Sequence, residues 1–247
     1  MVRPLRIATV SRIVVRQTNV RNETRRLDSV APAKSRDTAP SGLVTLPAMS
    51  IKIKHHLQAQ YPMHAGVLGK VATIPRLRRR DMALPEAVVR IVTGQMLSSK
   101  AAHAIYQRVR DKASDLGLEG SWLLDVESLR GCGLSGSKAR TICEFGARIG
   151  TDASVVDHWY SLSAEDLAEE IRRHKGMGEW TASIIALFYV GHEDVFPYAD
   201  GSIRRAIGLL EGKRRSKRDR VDPELAAPYR SYLALYLWRA LDTGVIG

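Results

Sequence analysis

From Met49 onward the sequence predicts an all-α protein. Three observations carry this expectation. Apolar residues recur at helical spacing in nearly every segment, and no segment alternates apolar and polar residues for long enough to demand a sheet. Ser, Pro and Gly stand where helices would begin and end. With 247 residues, 45% of them hydrophobic, the chain is long enough to bury a core. Its longest apolar run, Ala182 to Val190, is about half of a membrane span, so a soluble protein is expected.

Each element has a local reason. Pro85 stands near the start of "LPEAVVRIVTGQML", where its missing N–H is harmless and its φ suits a first turn. Ser98 or Ser99 can cap "SKAAHAIYQRVRDKA", whose Ala101, Ala104, Ile105 and Val109 form one apolar stripe. The turn "GQMLSS" joins these two helices. "GCGLSGSKARTICEFGARIG" places a glycine turn before a helix from about Ser137 to Ile149, buried through Ala139, Ile142, Cys143 and Ala147. "SAEDLAEEIRRH" opens with Ser163 three residues before Asp166, a variant of the capping box. It ends at Lys175. The turn Gly176-Met177-Gly178 leads into "EWTASIIALFYVG", and Gly191 stops that helix. A short helix "SIRRAIGLL" follows Asp200, and "PYRSYLALYLWRAL", apolar on most faces, must be buried or line a pocket.

Two regions stand apart. Residues 1–48 are rich in Arg, Ser, Thr and Val, poor in acids and without a sustained period, so they are expected to form a basic, disordered arm. A flexible arm, an organelle presequence, or translated sequence ahead of a start at Met49 all fit, and "MSIKIKHHL" favours the last. Residues 49–247 then form one domain. "EGKRRSKRDR", six of whose ten residues are basic, is either a solvated loop or a loop that tracks phosphates.

The formal charge of +12 favours a polyanionic partner, nucleic acid first, because basic side chains displace counterions from phosphates. Half of that excess lies in residues 1–48. Two cysteines, Cys132 and Cys143, are too few for a thiolate metal site or an iron–sulfur cluster. They are expected to be small buried groups in a reducing compartment. Seven histidines include no H-x-x-x-H pair, so no metal site is expected.

A G-apolar-G turn at the mouth of a helix exposes backbone N–H groups and can hold an anion, though many such turns merely end a helix. Here it has company. "GMGEWTA" followed by "DVFPYAD" resembles the helix-hairpin-helix DNA glycosylase superfamily. The stretches "VRIVTGQMLSSKAAHAIYQRV" (89–109), "LRGCGLSGSKARTI" (129–142) and "PYRSYLALYLWR" (228–239) extend that resemblance in the family's order. The combination looks like the alkylpurine branch, the 3-methyladenine DNA glycosylase II type.

The resemblance implies two helical subdomains flanking a base pocket, with Asp200 as the catalytic carboxylate at its mouth. It implies a phosphate held by Gly176, Met177 and Gly178 with Thr181 beside them, and pocket walls from Trp238, Trp180 and Tyr229. The turn "GQMLS" would supply Met96 as a wedge into the gap left by a flipped base, with Gln95 near the orphaned partner. Without the surrounding motif Met96 reads as a helix-end core residue. Arg230 is equally a contact to the backbone or pocket carboxylate and a buried pair partner. Arg204 and Arg205 are phosphate contacts or solvated charges. In strand-cutting members a lysine stands at the position of Trp180 and forms a Schiff base with the sugar, which tryptophan cannot do. Base removal by water without a nick is therefore expected.

The expected partner is duplex DNA containing damaged bases, bound by a cytoplasmic monomer that needs no cofactor. The family's hairpin carbonyls can bind a monovalent cation. Two rivals remain: a glycosylase for an oxidised or deaminated base, and a non-catalytic DNA-binding module in which Asp200 only caps the helix after it. Many relatives continue past the aspartate with an aliphatic "Leu-Gly-Leu" pattern, whereas this chain has Gly201-Ser202-Ile203. The β-rich N-terminal domain of some relatives is expected to be missing.

Overall fold

The computed structural model describes residues 48–247 except 153 and 213–219. The arm and most of the basic loop therefore lie outside the described residues. What is described is helical, with no strand among it. The helices are α1 (Ala48–Gln60), α2 (Ala65–Lys70), α3 (Leu84–Gly94), α4 (Ser99–Asp115), α5 (Val126–Gly131) and α6 (Gly136–Thr151). They continue as α7 (Ser154–Trp159), α8 (Ala164–Arg172), α9 (Glu179–Ile185), α10 (Gly201–Glu211) and α11 (Arg230–Asp242).

The caps fall where the residue types place them. Pro85 sits in the first turn of α3. Ser98, the first of the two candidate serines, accepts the Ala101 N–H. Ser135 caps α6 one residue earlier than the glycine turn suggested. Ser163 accepts the Asp166 N–H at 3.1 Å and donates its hydroxyl to Asp166 Oδ2 at 2.7 Å, so the cap forms, but the Asp166 carboxylate takes the serine hydroxyl where a capping box would take the backbone N–H. Gly191, at φ 90°, ends the helix that begins at Glu179. The end differs from the expected regular one: Ala186–Val190 winds as a π-helical turn, and the N–H groups of Gly191 and His192 both reach Ala186 O at 2.9 Å.

The helices pack in two sets. In the first, α3 is buried from Leu84 to Gly94 save Glu86 and lies against α4, α6 and α9. In the second, α11 is buried on almost every face and packs on α10 and α2, while α1 lies against α2 and the 3-10 turn Pro223–Ala226. One hydrophobic cluster runs through both sets, from Ile53 and Leu57 through Val88 and Phe145 to Tyr232 and Trp238. The connection from α2 to α3 is stitched to α11, since the Leu77 N–H donates to Tyr232 Oη at 2.9 Å and Ile74 N–H to Tyr236 Oη at 3.3 Å. Cys132 is buried, Cys143 half-buried, and both are free thiols whose pKa burial pushes up.

Candidate functional site

The hairpin comes first. Gly176 is left-handed at φ +85°, and a Cβ on it would meet Thr141 Oγ1 at 2.1 Å. That hydroxyl donates to Lys175 O at 3.1 Å, so the close approach is to the protein itself. Met177 is 2% exposed and anchors the turn in the core. Gly178 is extended, at φ −94° and ψ −169°, with open space where a Cβ would stand. The two glycines differ: Gly176 makes the bend, and Gly178 leaves room at the mouth of α9. The first N–H groups of α9 have no partner within the helix, and there the helix dipole favours an anion.

The turn after α3 lies beside the hairpin. Met96 has φ 57°, the only non-glycine with positive φ among the described residues, and is fully exposed at 101%. A helix-end core residue is excluded by that exposure. Gln95 Nε2 donates to Gly176 O and to Thr181 Oγ1, each at 3.0 Å. Both amide hydrogens are therefore committed to the hairpin, which leaves only the carbonyl end of Gln95 for an orphaned base. Thr181 is 1% exposed and serves as the acceptor of that bond, so its hydroxyl faces the protein.

Asp200 ends the segment that follows Gly191, and α11 fixes that segment. Ser231 Oγ accepts the Val195 N–H at 2.9 Å and lies within hydrogen-bond distance of His192 O and Val195 O. Arg230 grips Asp194 through Nε at 2.9 Å and Nη2 at 3.0 Å and also pairs with Glu224. Of the two roles open for Arg230, the structure shows the pair partner. Against the opposing effect of burial its guanidinium holds the Asp194 carboxyl below its ordinary range, and Glu224 is lowered first by the Tyr198 hydroxyl and then by Arg230.

Three N–H groups converge on the Asp200 carboxylate. Trp180 Nε1 donates to Oδ2 at 2.8 Å, Trp238 Nε1 to Oδ1 at 3.2 Å, and the Ile203 N–H to Oδ1 at 2.9 Å. The last bond caps α10, so the capping role is real but is one of three. A carboxylate has about four acceptor positions, and the one left over lies on Oδ2. Trp238 is 6% exposed, with one ring face on Phe188 at a centroid distance of 5.7 Å and an angle of 27°. It also lines a cavity of about 300 Å³ with Ser202, Arg205, Leu241 and Asp242. Trp180 is half-buried.

The remaining expected residues have these surroundings. Tyr229 packs edge-on against His56 of α1 at 5.2 Å and against Tyr232 at 6.1 Å. Arg204 and Arg205 are exposed on α10, and both of their readings stand. Phe188 was not singled out from the sequence, because inside an apolar run it looks like any core residue. Arg80 was missed as well. Its guanidinium lies over Phe188 at 4.9 Å, and desolvation lowers its pKa. No group of three His, Cys, Asp or Glu among the described residues could hold a metal ion. A larger hollow of about 350 Å³, between Met82 and Trp122, contains none of these residues, and its Glu86 carboxylate is taken by Tyr106 and Ser121.

A helix-hairpin-helix with an acid at the end of a twenty-residue span, and an exposed residue on a neighbouring turn, defines a helix-hairpin-helix DNA glycosylase fold. Comparison with known proteins agrees. No known family profile matches the chain. It is 30% identical over 161 residues to DNA-3-methyladenine glycosylase 1 of Schizosaccharomyces pombe, covering 62% of this chain and 71% of that protein. It is 24% identical over 196 residues to an alkylbase DNA glycosidase-like protein of the same yeast, covering 76% and 92%. The solved S. pombe 3-methyladenine DNA glycosylase in complex with abasic DNA superposes with a TM-score of 0.63 at 28% identity, covering 77% of this chain and 97% of that one. The chain belongs to the DNA-3-methyladenine glycosylase family.

Proposed function

We propose that the protein is a monofunctional DNA glycosylase that hydrolyses the N-glycosidic bond of flipped alkylated purines at the start of base-excision repair. The observation that carries this reading is the pair of indole N–H groups on Asp200. They hold a carboxylate beside two aromatic rings, which is what removal of a cationic base requires. Breaking the bond between C1′ and the base nitrogen develops an oxocarbenium-like cation on the sugar, and the electron pair leaves with the base. Asp200 stabilises that cation and uses the free position on Oδ2 to orient the attacking water. An N3- or N7-alkylated purine is already positive, so it departs as a neutral base and needs little help from a general acid.

Recognition is then the main task. An indole face attracts a cationic base by about 1–2 kcal/mol when desolvated, and Trp180, the more exposed of the two indoles, joins Trp238 in that role. Unstacking the base costs a few kcal/mol, which is offset when Met96 fills the gap and the hairpin holds the backbone. The likeness to a glycosylase solved with abasic DNA supports duplex DNA as the partner. One chain carries hairpin, wedge and acid, so a monomer suffices. Trp180 has no amine to form a Schiff base, which supports hydrolysis without strand cleavage.

The test is release of free base from methylated duplex DNA, with Asp200→Asn as control and a parallel sample kept from alkali. Release that persists in the variant would sink the mechanism. Binding without release would favour a DNA-binding module, and strand breaks before alkali would contradict the monofunctional reading.

A further inference from the structure

Between the exposed Met96 and the glycine hairpin lies a strap of hydrogen bonds that base recognition does not require for its chemistry. Lys138, in the first turn of α6, sends its ammonium to Thr93 O at 3.0 Å and to Gln95 O, the carbonyls at the end of α3. Gln95 in turn sends its amide across to Gly176 O and Thr181 Oγ1. One turn further along α6, Thr141 donates to Lys175 O. A single face of α6 therefore holds the backbone of both turns, and Gln95 joins the two turns directly. The ammonium is partly removed from water, which lowers its pKa, yet its two acceptors are neutral carbonyls. A lysine used only for solubility or for phosphate attraction would keep its head in water.

The conformation being held is a costly one. A methionine at positive φ, with its side chain wholly in solvent, persists only where the surroundings over-determine it. We propose that Lys138 is a positioning residue which, together with Gln95, locks the turn bearing Met96 to the hairpin, so that the wedge enters the duplex at a fixed distance from the phosphate held at Gly178. This rests on the reading of Met96 as the wedge and of the hairpin as a phosphate site. Anchoring the backbone and filling the gap then become one event. With the strap cut, the hairpin still binds a phosphate, but Met96 samples positions that do not enter the base stack.

The test uses the full chain and a duplex with a tetrahydrofuran abasic analogue, 2-aminopurine being the base opposite it. Insertion of the wedge changes the stacking of that fluorescent base, and no base release is needed. The wild type at saturation gives a fluorescence change that Met96→Ala abolishes. Lys138→Met reduces the amplitude by about tenfold, the factor expected for one charge-assisted hydrogen bond, while Lys138→Arg restores it. Affinity for undamaged duplex is unchanged. The double variant Met96→Ala, Lys138→Met equals Met96→Ala alone, because both act on one step. Gln95→Leu cuts the strap at its other end and gives the same loss, which serves should Lys138→Met fold poorly. A wild-type amplitude in both strap variants overturns the proposal. An amplitude indifferent to Met96 would overturn the wedge reading as well, whereas absence of base release by the wild type would count against the proposed activity and leave this result standing.

Discussion

Trp180 Nε1 lies 2.8 Å from Asp200 Oδ2. In the strand-cutting members of the superfamily that the sequence resembles, an amine stands at this position. Here the indole N–H orients the carboxylate, and the ring carries no amine that could form a Schiff base. Trp238 and the Ile203 N–H fix the other oxygen, so the carboxylate has little rotational freedom.

Asp200→Asn separates these functions. The amide oxygen can still accept from Ile203 and Trp238, but its NH₂ then faces the Trp180 N–H, donor against donor. Base release in single turnover should fall by at least about 100-fold, with duplex affinity unchanged. Asp200→Ala also loses the cap of α10, worth about 1 kcal/mol. Its melting temperature should drop by about 2–4 °C. Equal melting of the two variants would show that the cap bond contributes nothing.

Trp180→Phe keeps an aromatic ring and deletes the donor on Oδ2. The chemical step should slow by about ten- to a hundredfold, the range for a hydrogen bond to a charged group. Affinity for abasic duplex should change little. A rate equal to the wild type would mean that Trp238 and Ile203 hold the carboxylate unaided. The matching change at Trp238 is less clean, because that ring is 6% exposed and stacked on Phe188, so its loss disturbs the core as well.

Much of this was legible in the sequence because it is written in local chemistry. Helix starts at Pro85, Ser98 and Ser163 and the stop at Gly191 follow from single residues and their neighbours. Asp200 and Trp180 were singled out only through the resemblance to a known superfamily that the motifs around them carry. What the sequence hid depends on contacts between distant segments. Gln95 bonds across 81 and 86 residues, Lys138 across 45, and Arg230 to Asp194 across 36. A polar residue near a turn carries no mark of the carbonyl it will meet. The two glycines of the hairpin look alike in one-letter code, and only backbone angles and the position of Thr141 distinguish them.

That distinction is testable by alanine at each glycine. Gly176→Ala places a Cβ 2.1 Å from Thr141 Oγ1 in a left-handed conformation, so either the turn or α6 must shift. A loss of roughly 1–3 kcal/mol is expected, read as a lower denaturation midpoint, with DNA binding weakened in step. Gly178→Ala meets nothing within 4 Å and has an ordinary φ, so stability should stay within about 0.5 kcal/mol. Its methyl group stands where a phosphate would approach. Affinity for duplex should therefore fall although the fold is intact, and an unchanged affinity would place the phosphate elsewhere.

The hairpin also carries a pH dependence through His174. Its carbonyl accepts the Met177 N–H at 3.0 Å, while its ring lies edge-on to Phe145 at 5.4 Å and to Trp159 at 5.7 Å. Nε2 is buried without a hydrogen-bond partner. Burial, with a smaller contribution from the nearby Arg148 charge and some opposition from Glu170, holds the imidazole pKa below its ordinary value of about 6.5. His192 is lowered in the same direction, again chiefly by burial. Below pH 6.5 the unfolded chain therefore binds protons that the folded one refuses, so stability rises with pH across that window. It is complete above the ordinary imidazole value and is lost as pH falls through the lowered values of the two groups. Denaturation midpoints measured from pH 7.5 to 5 should decline, and His174→Phe, which suits the aromatic surroundings, should flatten the decline in part. Adding His192→Phe should flatten it further. Duplex binding should follow the same curve in the wild type, because the end of α8 and the hairpin share the Met177 bond. A slope unchanged by His174→Phe would assign the whole effect to His192 and uncouple the hairpin from it.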